Sequence, residues 1–290
     1  MHCTAIVQKL NRTEMQKSKS SEVQKVGKTR GAKLFATALL HFCSSALACL
    51  FILPSLLFAF ADSDIASYQK EIGDKPIGER IALWAERFVG TPYDPDPLGE
   101  YVTKKAIVAD ARVDCMYLSF RSVELALSHT PEEAVSIALD KRFISKGMFK
   151  NGEVINYEQR FQYGEDMLDS GKWGKEITGD IGSLSYIKGA RGREKVAIVS
   201  KEELIGKFKK GVRLPLKSGD FIFFVKASEK RIYDEIVGHI GIIKMKGETP
   251  YLIHAGGIKN KGGEVKKALL YDYIRSMPFA GVKVSRFLTP

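Results

Sequence analysis

The chain has 290 residues, 44% hydrophobic and 27% charged, with 45 Lys and Arg against 34 Asp and Glu, a net charge of +11. That length and apolar content allow one sizeable core. The basic excess holds no Arg-rich run with interleaved aromatics, so a nucleic-acid partner is not expected.

Residues 1–33 carry eight Lys or Arg against two Glu and show no apolar periodicity; they read as disordered or as mistranslated upstream sequence, with Met15 an alternative start. Residues 34–61 carry no charge and end Ala59-Phe60-Ala61 before Asp62. A basic head, an apolar body and a small-residue exit predict a signal peptide cleaved after Ala61. The apolar run is also long enough for a retained anchor, which would be the chain's one tie to a membrane. Export to the periplasm or cell envelope follows, and residues 62–290 form the expected folded domain. Residues 1–61 hold 8 of the basic and 2 of the acidic residues, so the remainder keeps 37 against 32, a net +5.

Residues 76–89 place Ile77, Ile81, Trp84, Ala85 and Phe88 on one face, an amphipathic helix stopped by Gly90. Residues 90–99 then contain Pro92, Pro95 and Pro97, which predict a stiff loop. Tyr93 is the residue in it placed to wall a cleft. In Val113-Asp114-Cys115-Met116-Tyr117, Asp114 is a good N-cap, and Cys115, Ser119, Ser122, Val123 and Ala126 recur at helical spacing. Cys115 is therefore expected in the first turn of a buried helix, where unpaired N–H groups and the helix dipole lower a thiol's pKa. Cys3, Cys43 and Cys49 all precede residue 50, so cleavage would leave Cys115 without a disulfide partner. A buried, inert thiol and a reactive nucleophile are both compatible with this stretch alone.

Thr130-Pro131-Glu132-Glu133 is a capping box that starts a short helix through Ala138. The segment 157–168 packs charge and aromatics densely, as a substrate-facing segment or a solvated helix face would. Residues 195–199 are rich in strand formers, and Ser200 with Glu203 caps a further helix. The C-terminal part turns to strands at 221–225, 239–243, 251–254 and 282–287, whose close spacing predicts an antiparallel meander. Helices first and strands after give an α+β fold, with the cysteine helix packed on the sheet.

Past residue 61 the histidines are His129, His239 and His254. His129 stands beside a capping box and reads as structural. His239 opens one strand and His254 closes the next, so an antiparallel pair can bring the two imidazoles together. One thiol and two histidines suit either a zinc site or nucleophilic catalysis. The absence of a closely spaced ligand pair and the thiol's place at a helix start favour catalysis.

Taken together, Gly90-Thr91-Pro92-Tyr93, Asp114-Cys115, Gly219-Asp220, Gly238-His239-Ile240-Gly241-Ile242 and Leu252-Ile253-His254-Ala255 resemble the NlpC-type papain-like cysteine hydrolases of the bacterial cell wall. The resemblance runs over roughly residues 76–288 and is greatest to the N-acetylmuramoyl-L-alanine amidase-like group. It implies a papain-like α+β fold with a helical insertion at about 129–200, since 124 positions separate Cys115 from His239. It implies Cys115 as nucleophile, His239 as base and His254 as its orienter. Arg160, Tyr163 and Asp166 fall where that group carries an Arg-aromatic-acidic signature; with Tyr93 and Asp114 they are expected to face the substrate. Peptidoglycan or muropeptide amide bonds are the implied substrate, cut between sugar and peptide or within the stem, with no metal and no cofactor. An acyltransferase using the same acyl-enzyme and a non-catalytic envelope-binding protein are the alternatives.

Overall fold

The computed structural model describes residues 60–95, 99–151, 153–258 and 262–288. The expected signal segment, apart from Phe60 and Ala61, lies outside the described residues, and among those described no helix is long and apolar enough to cross a membrane.

Helix α1 (Asp62–Ile72) begins with Asp62 and Asp64 and ends near Lys70, charges that complement the helix dipole at each end. Helix α2 (Ile77–Arg87) buries the predicted stripe of Ile77, Ile81, Trp84 and Ala85. Phe60 and Tyr68 meet Trp84 edge-on, with ring centroids 5.9 and 4.8 Å away, which fastens the entry of the domain to α2. A single turn, α3 (Glu100–Thr103), precedes the cysteine helix α4 (Cys115–Leu127).

Helix α4 is buried on nearly every side, and its charged residues are paired as burial requires. Arg121 donates from Nε to both oxygens of Asp110, at 3.0 and 3.2 Å, and the Tyr117 hydroxyl donates to Asp110 at 2.6 Å. Glu124 takes two hydrogen bonds from Arg142 at 2.6 and 2.7 Å, and the Arg142 guanidinium lies 4.9 Å from the Tyr117 ring centre. Arg142 follows α5 (Pro131–Lys141), which opens with the expected box: Thr130 accepts from Glu133 N, and Glu133 accepts from His129 N. His129 is exposed, in keeping with a structural position.

The expected helical insertion is instead mixed. It contains a two-residue hairpin, β1 (Phe149–Lys150) with β2 (Glu153–Val154), then α6 (Gly164–Asp169), β3 (Lys175–Glu176), α7 (Thr178–Ile181), β4 (Ser185–Lys188) and β5 (Lys195–Ser200). Only one of its strands, residues 195–199, was legible, because the others are two to four residues long and lack an alternating pattern. Three of these strands join the main sheet and so belong to the core. Helix α8 (Lys201–Lys209) follows with Ser200 as N-cap.

Strands β6 (Phe221–Val225), β7 (Val237–Lys246) and β8 (Thr249–Ile258) pair in sequence as expected, but the fourth meander strand is β9 (Gly262–Leu269), not the expected 282–287. After α9 (Leu270–Ser276), β10 (Gly281–Arg286) returns to the far side of β6. The order is β4-β5-β10-β6-β7-β8-β9 with β3 on β10, all antiparallel. Alternation along β6 to β8 sends Phe221, Phe223, Ile242 and Ile253 toward α2 and α4. Ile222, Phe224, Ile243 and Leu252 go to the opposite face, where α9 lies.

Gly219 ties the two layers. Its φ is +84°, and an added Cβ would stand 2.6 Å from the Gly78 carbonyl carbon at the start of α2, so only glycine fits. Its neighbour Asp220 is fully buried and accepts from Arg286 Nε at 2.7 Å and from Lys217 N at 2.8 Å.

Candidate active site

Cys115 is the first residue of α4. Asp114, in extended backbone before it, accepts from Tyr117 N at 2.6 Å, which is the N-cap the sequence predicts. The half-buried sulfur faces the backbone N–H of Ile240 on β7 as well as the N–H groups of Cys115 and Met116.

His239, immediately before Ile240, bonds through Nε2 to Nδ1 of His254 at 3.0 Å, with the rings nearly perpendicular at 83°. The two are not directly opposite. The β7–β8 register pairs Ile242 with Ile253, so one step on His254 faces Gly241, and His239 sits two residues further along the same face. Such a diagonal lies within reach of an imidazole. Gly256 makes room for the bond, because a Cβ there would press to 3.1 Å on Cε1 and Nδ1 of His254.

The Pro-rich loop is more than a stiff connector. Tyr93 N donates to Gly263 O at 2.8 Å, and Val265 exchanges hydrogen bonds with Gly90 and Thr91, each at 2.9 Å, so the loop extends the sheet beyond β9. On its other side Val113 N donates to Pro92 O, and Asp94 N to Val113 O, both at 3.0 Å. The residue two before Cys115 is thereby bound to the strand that pairs with His254's strand.

Charge is unwelcome here. Burial pushes the Cys115 thiol up to about 12, with the Asp114 carboxylate adding to the rise and the three N–H groups opposing it. The expected lowering by the helix start is thus outweighed in the resting protein. Burial, and then His254, take His239 down to about 3; burial, and then Lys266, take His254 down to about 4. Burial also raises Asp114 to about 6, Asp94 adding to the rise against the Tyr117 and Met116 N–H groups and Arg142. Tyr93 is held at about 12 by burial, then by Cys115, Asp114 and Asp94. At neutral pH this is a neutral thiol beside neutral imidazoles.

The structure therefore brings together Cys115, His239, His254, Tyr93 and Asp114. Arg160, Tyr163 and Asp166 take other partners. Arg160 folds on Tyr157, donating to its carbonyl at 3.1 Å. Tyr163 lies 3.5 Å beneath the Arg191 guanidinium, and Asp166 bonds Arg191 at 2.8 Å and Arg193 at 3.0 Å. Glu165, between them, accepts from Ile236 N and Val237 N at 3.1 Å each and so fixes the start of the strand that carries His239. Glu165 and Tyr273, whose ring lies 4.6 Å from that of His254, were missed. The short stretch at 270–276 gave no helical signal, and nothing in sequence marks a carboxylate that binds a strand 71 residues away.

Among the described residues no three His, Cys, Asp or Glu side chains gather in a metal-binding arrangement.

No protein-family model and no curated protein sequence matches the chain. Solved structures do. A Legionella pneumophila protein of the DUF1460 family aligns with a TM-score of 0.63 at 17% identity, over 79% of this chain and 94% of its own. An N-acetylmuramoyl-L-alanine amidase from Bacteroides uniformis aligns with a TM-score of 0.54 at 17% identity, over 73% of this chain and 99% of its own. A Bacteroides fragilis protein provisionally named a xylanase aligns with a TM-score of 0.51 at 17% identity, over 71% and 100%. This chain shares their fold, and fold alone does not select among the chemistries those names carry.

Proposed function

We propose that the chain is a cysteine amidohydrolase of papain-like, NlpC-type architecture that cleaves an amide bond in peptidoglycan or its fragments at the cell envelope. The observation that carries this reading is the His239–His254 bond at 3.0 Å, set one residue from the Ile240 N–H that faces the Cys115 sulfur. The amidase among its structural likenesses supports the choice of amide hydrolysis over a sugar-cleaving reaction, which needs a pair of carboxylates flanking the bond.

The neutral resting pair sets the order of events. With Nε2–H of His239 donated to Nδ1 of His254, Nδ1 of His239 keeps the lone pair that a base needs. As the sulfur attacks the carbonyl carbon, the C–S bond forms and the thiol proton passes to Nδ1. The tetrahedral oxyanion is held by N–H groups at the start of α4. The imidazolium returns its proton to the departing amine as the C–N bond breaks. Water, deprotonated by His239, then attacks the thioester; the C–S bond breaks and the proton goes back to sulfur. His254 holds the His239 tautomer throughout, and Tyr93 walls the cleft.

Digestion of purified sacculi with residues 62–290, followed by mass analysis, tests the proposal. Released fragments with new amine and carboxyl ends are expected, with none from Cys115→Ala and no effect of a chelator. Intact sacculi, or an active Cys115→Ala protein, would overturn it.

A further inference from the structure

The imidazole pair is covered from one side by aromatic rings. Tyr273, on α9, stacks on His239 with ring centroids 5.9 Å apart and planes 28° apart, and meets His254 at 4.6 Å and 58°. Phe224 backs both, 4.9 Å from Tyr273 and 6.0 Å from His239. Tyr273 is 8% exposed, so its ring shields the bond between the imidazoles from water.

We infer that Tyr273 is the positioning residue of the imidazole pair, one ring fixing the torsion at which Nδ1 of His239 meets Cys115; this rests on the reading of Cys115 and His239 as nucleophile and base. A single hydrogen bond sets the distance between two rings and leaves rotation about its own axis free. The near-parallel contact of Tyr273 with His239 removes that freedom, which the perpendicular His254 ring does not. The same face favours the positive charge His239 acquires in the reaction, because an aromatic face attracts a cation. The phenol itself stays protonated: burial first, and then Cys115, hold it far above the ordinary range. The ring, and not a phenolate, is what acts.

Tyr273→Phe keeps the ring and Tyr273→Leu removes it while keeping apolar bulk, with Tyr273→Met as substitute should the leucine variant not fold. The primary readout is the pH profile of Cys115 alkylation by iodoacetamide, which needs no substrate. Wild type and Tyr273→Phe are expected to share a neutral-pH limb that His239→Ala abolishes. Tyr273→Leu is expected to lose that limb, reacting about tenfold slower or less at pH 7, and to rejoin wild type in alkali where the thiol ionises unaided. With muropeptide, kcat should fall by a similar factor while KM holds. A folded Tyr273→Leu protein with the wild-type profile overturns the inference, as does a Tyr273→Phe protein that behaves like it. Wild-type protein that leaves sacculi intact overturns the proposed function alone, because the alkylation comparison does not depend on it.

Discussion

Tyr93 lies against Gly257. A Cβ on that glycine would stand 2.9 Å from the ring Cγ and 2.8 Å from the Gly262 carbonyl, so the bare backbone of β8 is the floor on which the ring rests. Gly257→Ala should lift Tyr93 away from Cys115 and strain the pairing with β9, at a cost of about 1–3 kcal/mol. Thermal unfolding should show a midpoint lower by roughly 2–4 °C for each kcal/mol, with turnover reduced beyond that loss. A variant as stable and active as wild type would mean that Tyr93 does not bear on the site.

His254 is argued to orient and not to exchange protons with substrate. His254→Asn or His254→Gln should therefore keep part of the turnover that His254→Ala loses, while His239→Ala and Cys115→Ala lose it all. The loss in the alanine variant can approach roughly ten-thousand-fold, the scale seen when a base is left in the wrong tautomer. Full activity in all three folded His254 variants would make the residue a bystander.

Stability should depend on pH with a sign set by three buried groups. His239 and His254 titrate at about 3 and about 4 in the fold but near 6.5 when unfolded. Between those values the unfolded chain binds more protons, so stability falls as pH falls below 6.5. Asp114 acts oppositely: raised from 3.8 to about 6, it makes the native state the better proton binder between those values and regains stability as pH falls. The net slope from pH 6 to pH 4 is about one proton, or roughly 1.4 kcal/mol per unit. In Asp114→Asn, which keeps an N-cap oxygen, the offset vanishes and the slope should about double. Urea midpoints at pH 6, 5 and 4 for both proteins decide it, and parallel curves would sink the assignment to Asp114.

On the helix that begins with Cys115, Glu124 forms a buried, bidentate pair with Arg142. Glu124→Ala would strand the guanidinium under Tyr117 and should cost about 3–5 kcal/mol. The double variant Glu124→Leu/Arg142→Met should recover much of it. Chemical denaturation of the three proteins measures both, and a mild single variant would show that water reaches the pair.

The sequence was most informative where a rule is local. The Asp114, Thr130 and Ser200 N-caps and the stripe of α2 depend on contacts within four residues, and each appears as read. The nearness of His239 and His254 was also legible, since short sequential strands leave few pairings. What was hidden depends on partners far along the chain. The loop around Tyr93 becomes an outer strand only because β9 presents Gly263 and Val265, 170 residues away. The thiol's pKa was misjudged for the same reason: the helix start is visible in sequence, whereas the burial that outweighs it is made by the rest of the fold.

The hydrogen bonds of residues 90–94, to Val113 on one side and to β9 on the other, make thiol and imidazoles members of one cooperative unit. Opening that segment would separate the thiol from the imidazoles. Amide exchange at Tyr93, Asp94, Val113 and Val265 should then proceed with a common protection factor, and on warming the loss of catalysis should coincide with their exposure.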